Sequence, residues 1–138
     1  MSGIIELQLP WPPSVNAYWT HTRRGSFIGK KGKAFRDETI LAVRQKYGPL
    51  EPMEGAVTVR IAAFPPDDHR KHDLDNLLKA ILDALQKAGV YTDDGQITHI
   101  DIRRGTAIDG GGLWIGVNEG PESTGGPAIA PSEALERP

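Results

Sequence analysis

Apolar and polar residues alternate strictly over residues 4–9, IIELQL, which puts Ile5, Leu7 and Leu9 on one face and predicts a half-buried strand. Three prolines in PWPPSVN end it, so residues 10–17 read as a stiff connection. The periodicity then lapses. Gly25, Gly29 and Gly32 suggest a flexible loop, or a short ribbon around SFI, that forms an arm. In KAFRDETILAVRQKY, 33–47, the residues Ala34, Phe35, Leu41, Ala42 and Tyr47 follow a helical stripe that stops at Gly48-Pro49. AVTVRIAAF, 56–64, returns to alternation, with Val57, Val59, Ile61 and Ala63 on one side.

From Leu74 the period changes to that of a helix. Leu74, Leu78, Ile81, Leu85 and Ala88 recur at spacings of 4, 3, 4 and 3, and Gly89 is placed to cap the C-terminus. After the turn-prone TDDG, the segment QITHIDIRRG reads as a strand, and a glycine-rich turn leads to a partner strand at 113–117. The order is strand, arm, helix, strand, helix, strand, strand: an α+β domain of about four strands and two main helices. Residues 119–138 hold four prolines and three glycines with almost no large apolar side chain. Such a stretch buries too little to offset its ordering entropy. The expected division is therefore a domain over 1–118 and a disordered tail over 119–138.

Composition narrows the chemistry. The chain has 138 residues, 25% of them charged and 38% hydrophobic, as in globular proteins with one core. It has no cysteine, which excludes disulfides, thiolate metal sites and a cysteine nucleophile. Any metal would be held by oxygen or histidine. No basic N-terminal segment leads into an apolar run, and no stretch approaches the length of a membrane span, so a cytoplasmic protein without membrane contact is expected.

The formal net charge of −2 hides an asymmetry. Thr20 to Arg36 carries Arg23, Arg24, Lys30, Lys31, Lys33 and Arg36 without an acid. The last twenty residues carry Glu119, Glu122, Glu133 and Glu136 against Arg137 alone.

Two aspartates, Asp73 and Asp75, stand at the mouth of the second helix. Acids there commonly cap backbone N–H groups and complement the helix dipole. One aspartate suffices for a cap, however, and two residues within a helix diverge by roughly 200°. If Asp73 is still extended, both can point the same way. A second acidic pair, Asp93-Asp94, follows the same helix, and Lys79 stands four residues after Asp75. A surface ion pair would account for that lysine, but pairs of this kind contribute little.

Taken together, these residues match the needs of phosphodiester hydrolysis. Carboxylates suit Mg²⁺, which keeps several waters and takes few protein ligands, and a lysine adds positive charge where the transition state builds negative charge. Arg23, Arg24, Lys30, Lys31 and Lys33, with Arg70 and Lys71 beside the aspartates, would neutralise backbone phosphates. DLDNLL lacks the glycine and glutamate of a calcium loop, no phosphate-binding glycine motif occurs, and His72 has no ligand spacing to His21, His69 or His99.

LPWPPSVNAYW, DLDNLLKAILDAL and KAGVYTDDGQI, in this order, resemble the RusA Holliday junction resolvases of bacteria and their prophages. The resemblance covers roughly residues 5 to 117. It implies a small α+β homodimer with a mixed sheet that binds four-way DNA junctions and, with Mg²⁺ or with Mn²⁺ in its place, nicks two opposing strands symmetrically in recombination and repair. It also implies that Asp73, Asp75 and Asp94 hold the metal and that Lys79 is the essential lysine. It leaves Asp93 open between ligand and turn residue. The chain departs from the family pattern at His72, where arginine is expected, and in its acidic tail.

Two other readings stand beside this one. A branched-DNA-binding protein of prophage origin without cleavage would gain by losing acids that repel phosphate, yet all three remain. A small-metabolite phosphohydrolase leaves the basic arm without a use.

Overall fold

The computed structural model describes residues 4–68 and 73–120. The elements in chain order are β1 (Ile4–Leu9), α1 (Val15–Tyr18), β2 (Trp19–Thr22), β3 (Gly25–Ile28), α2 (Lys30–Tyr47), β4 (Val57–Phe64), α3 (Asp75–Lys87), a 3₁₀ turn (Asp94–Gln96), β5 (Ile97–Arg104) and β6 (Gly112–Glu119). Four strands form one mixed sheet in the order β1-β6-β4-β5, antiparallel except for β4 with β5. β2 and β3 form a separate ribbon. The α+β class with a mixed four-stranded sheet and two main helices is as expected. Among the described residues no helix is long and apolar enough to cross a membrane.

The core lies between one face of the sheet and helices α2 and α3. Ile5, Leu7 and Leu9 of β1, alternate residues Val57 to Ala63 of β4, and Leu113, Ile115 and Val117 of β6 meet Phe35 and Val43 of α2 and Leu77, Ile81 and Leu85 of α3. Alternation on these strands therefore carried a true signal. It understated β4, however. Ala62 and Phe64, on the opposite face, are buried as well, because Trp114 and Ile108 cover the back of the sheet there, and Thr58 on that face is also buried.

Helix α3 ends as its sequence predicts. Gly89 takes a φ of 84°, its N–H donates to the Gln86 carbonyl (3.0 Å), and the N–H of buried Val90 donates to the Leu85 carbonyl (3.1 Å). Paired bonds of this kind satisfy the carbonyls of a last turn. The buried stripe is rotated slightly from the expected one, with Leu77, Ala80 and Ala84 fully covered and Leu74 and Leu78 half-buried.

Two segments differ from expectation. Residues 10–17 are not wholly extended, since the Ser14 hydroxyl accepts from the Ala17 N–H and starts the one-turn helix α1. Helix α2 begins at Lys30, three residues before the predicted start, with Gly29 at its cap. Gly32 is consequently not a loop glycine. It is buried in the first turn of α2, where an added Cβ would stand 2.7 Å from the Tyr18 carbonyl oxygen. Its lack of a side chain lets two backbones touch.

The tail boundary also moves. Strand β6 includes Glu119, paired with Val57, and the Glu119 carboxylate accepts from the N–H groups of Glu54 (3.2 Å) and Gly55 (2.9 Å). One acid assigned to the tail therefore belongs to the sheet. Residues 121–138, the rest of the expected tail, lie outside the described residues.

Candidate metal and nucleic-acid site

Asp73 and Asp75 flank Leu74, the residue at the N-cap of α3, and no side chain caps this helix. The only link from Asp73 to the first turn is through its backbone carbonyl, which accepts from the Asn76 N–H (3.2 Å). Both side chains are exposed. Asp75 complements the helix dipole from the first turn, but neither carboxylate is consumed by a capping bond. Two oxygen donors thus remain available at one end of a rigid helix, and they are chemically suited to a hard divalent cation.

One turn further along, Lys79 forms no ion pair with Asp75. Its Nζ lies instead 5.7 Å from the centre of the Trp19 ring. Cations are held over aromatic faces at such distances. Neither charged group is paired with the other.

The Asp93-Asp94 pair divides its work. Asp93 caps the 3₁₀ turn, its carboxylate accepting from the Gly95 N–H (2.9 Å). Gln96 completes a reciprocal cap: its Oε1 accepts from the N–H groups of Thr92 (2.9 Å) and Asp93 (2.8 Å). Its Nε2 donates to the carbonyls of Met53 (2.7 Å) and Gly55 (2.8 Å), so both ends of the amide are fully used. Asp93 is therefore a turn residue, while the Asp94 side chain is exposed. Sequence reasoning missed Gln96. The signal was present in the three-residue interval between Asp93 and Gln96, which is the spacing of a capping box.

Beside this turn, Tyr91 donates to the Leu82 carbonyl (2.6 Å), and burial first, then the carboxylates of Asp94 and Asp83, push its phenol well above the usual range. Tyr91 thus stays protonated and keeps donating.

The topology separates the two acidic pairs. β4 and β5 are parallel, with Val57 opposite Ile97 and Ala63 opposite Arg104, and α3 runs back between them. Asp73 and Asp75 lie beyond the end of β4, whereas Asp94 lies just before the start of β5. A helix of 13 residues, about 20 Å long, stands between. Accordingly, among the described residues no three His, Asp or Glu side chains gather into a metal-binding group. The expected trio of Asp73, Asp75 and Asp94 does not assemble within one chain.

The basic arm, by contrast, is brought to α3. Tyr18 is completely buried and its hydroxyl donates to Asp83 on α3; Trp19, next in sequence, lies against Lys79. From this base the β2–β3 ribbon projects Arg23 and Arg24 in a turn closed by Thr22, whose hydroxyl donates to the Gly25 carbonyl (3.1 Å) and accepts from the Arg24 N–H (3.2 Å).

Lys30, Lys31 and Lys33 follow in the first turn of α2, where no acid is present. All five cations are exposed. Three lysines at a helix N-terminus oppose its dipole, a cost of about 0.3–1 kcal/mol each at an exposed site. A polyanion laid across that end would reverse the cost. Arg70, Lys71 and His72 lie outside the described residues.

Comparison with known proteins identifies the family. The family model described as endodeoxyribonuclease RusA matches residues 10–117. The chain is 35% identical over 113 residues to the crossover junction endodeoxyribonuclease RusA of Escherichia coli (strain K12), covering 82% of this chain and 92% of that one. It is 39% identical over 113 residues to the crossover junction endodeoxyribonuclease of Enterobacteria phage HK97, with coverages of 80% and 91%. The corresponding Shigella sonnei (strain Ss046) protein is 36% identical over 113 residues.

Proposed function

The chain belongs to the RusA family of endodeoxyribonucleases, and on that premise we propose that it resolves four-way DNA junctions by metal-dependent hydrolysis of paired phosphodiester bonds. The observation that carries this reading is the end of α3. Asp73 and Asp75 are free of capping bonds there, with Lys79 a turn away under the base of a ribbon that carries the arm's cations. Asp73 and Asp75 would hold Mg²⁺, and when bound the metal would lower the pKa of an attacking water and offset charge on the phosphate. Lys79, uncommitted to any acid, adds its charge to that of the phosphate's other partners. Arg23, Arg24, Lys30, Lys31 and Lys33 bind the junction arms through their phosphates and fix its register, without reading bases. Arg70 and Lys71 belong to the same proposal by their place in the sequence.

Asp94 enters through a second copy of the chain. A two-fold dimer in which each protomer lends Asp94 to the Asp73–Asp75 end of the other would complete two equivalent sites. A four-way junction is itself close to two-fold symmetric, so two such sites suit two opposed nicks.

The test is cleavage of a synthetic four-way junction with and without Mg²⁺, comparing the native chain with Asp75→Asn and using linear duplex as the control. Symmetric, metal-dependent nicks are expected from the native chain, with cleavage by Asp75→Asn reduced by at least about 10²-fold while junction binding persists. Junction binding without cleavage under Mg²⁺ or Mn²⁺ would overturn the hydrolytic reading and leave a branched-DNA-binding protein.

A further inference from the structure

The segment SVNAYW carries no charged residue, yet it is tightly held, with Tyr18 fully buried in the main core and Trp19 packed against it. Ser14 caps its single helical turn, and its own carbonyl accepts from the N–H groups of Ala17 (3.0 Å) and Tyr18 (2.8 Å). The Tyr18 carbonyl accepts from the Gly29 N–H (2.7 Å) and touches Gly32, while the Tyr18 hydroxyl reaches Asp83. Tyr18 is thus gripped by α2 on one side and α3 on the other. Burial, then the hydrogen bond to Asp83, holds its phenol above the usual range, so the donor persists at any working pH.

Trp19 is fixed in turn. Its ring meets that of Tyr18 edge-on, with centroids 5.2 Å apart and planes at 81°, and it pairs with Ile28 at the base of the ribbon. Asp83 and Lys79 are four residues apart and lie on one face of α3. Two consecutive residues of the chain therefore engage two consecutive turns of that helix, Tyr18 at Asp83 and Trp19 at Lys79.

We propose that Trp19 is the positioning residue for Lys79, holding its ammonium for the phosphate and away from Asp75. The argument is one of competition. Asp75 and Lys79 have the spacing at which helical acids and bases pair, and such a pair would neutralise both groups the reaction uses. An aromatic face attracts the ammonium without supplying a counter-charge. Lys79 is thereby kept in one place and unpaired with Asp75, which stays open to a cation.

This inference rests on the resolvase reading, and its test separates the two. Single-turnover cleavage of a four-way junction by saturating enzyme is compared for the native chain, Trp19→Leu and Trp19→Phe, each also in the Lys79→Ala background, with junction binding measured in EDTA. The ε-methylene proton shifts of Lys79 are followed by NMR without DNA or metal.

Trp19→Leu is expected to slow cleavage by roughly two- to five-fold, the rate equivalent of an exposed cation–π contact, with binding unchanged. Trp19→Phe, which retains a ring, is expected to recover part of the rate. In the Lys79→Ala background the Trp19→Leu change should have no further effect. The upfield ring-current shift of the Lys79 methylene should vanish in Trp19→Leu, while the thermal midpoint confirms a folded chain.

An equal fractional loss with and without Lys79, a loss of junction binding, or an unshifted Lys79 methylene in the native chain would overturn the proposal. Failure of the native chain to cleave any junction would instead overturn the resolvase reading, with the methylene shift still reporting on the contact.

Discussion

At the scale of single residues, Thr58 is the clearest departure from economy. It is fully buried in β4, and its hydroxyl has no hydrogen-bond partner among the described residues. A buried hydroxyl without a partner costs on the order of 1–3 kcal/mol relative to one that is satisfied, whereas valine fills the same shape without the polar atom. Thr58→Val is therefore expected to stabilise the fold by about 1 kcal/mol. A thermal melt should show the midpoint rising by a few degrees, and a fall would mean that the hydroxyl is satisfied by water. Single residues were also where the sequence was hardest to read. Gly32 looked like a loop glycine because it lies among lysines and other glycines, but it is needed for its small size, which only the approach of the Tyr18 carbonyl reveals. Asp93 is told from its neighbour Asp94 by the capping-box interval to Gln96, and the structure shows one spent on a turn and the other exposed.

Elements are where the sequence was most legible. Strands β1, β4, β5 and β6 and helix α3 are all legible in the sequence, although β4 and β6 bury both faces and β5 has no fully buried residue, and Gly89 marks a true helix end. Helix α2 extends further toward its N-terminus than expected, into a first turn that carries Lys30, Lys31 and Lys33, a charge pattern that local stability disfavours and that binding a polyanion would offset. The 3₁₀ turn depends on side-chain bonds more than on any periodic pattern. Gln96 ties Thr92 and Asp93 to Met53 and Gly55, and its loss would free four backbone groups at once. Gln96→Ala is expected to destabilise the fold by about 1–3 kcal/mol and, by releasing the turn that holds Asp94, to reduce junction cleavage while leaving junction binding in EDTA unchanged. Denaturant titration beside a cleavage assay would check both parts. Full cleavage with the stability lost would remove Asp94 placement from the account.

At the scale of the whole molecule, strand order and the distance between the acidic pairs were invisible in the sequence. Periodicity reports which face of a segment is buried and says nothing of its neighbour; that β6 lies between β1 and β4 follows only from the assembled sheet. The same assembly sets Asp94 a helix length from Asp73 and Asp75, which motivates the two-copy site. Co-refolding Asp75→Asn with Asp94→Asn would test it. If each site combines Asp75 of one copy with Asp94 of the other, heterodimers of the two variants contain one intact site. Each variant alone should then be inactive, and their mixture should recover single nicks in a junction without paired resolution. A mixture as inactive as its components would return the site to one chain.

The position of β6 also bears on how the molecule is made. Its residues, 112–119, supply an inner strand that joins β1 to β4, and among the described strands it is the last to leave the ribosome. Until it arrives, β1 has no partner and the open side of β4 is an unpaired hydrogen-bonding edge. Chains that stall short of this strand expose a sticky template instead of a partial fold, a hazard for nascent polypeptides synthesised at about 5–20 residues per second.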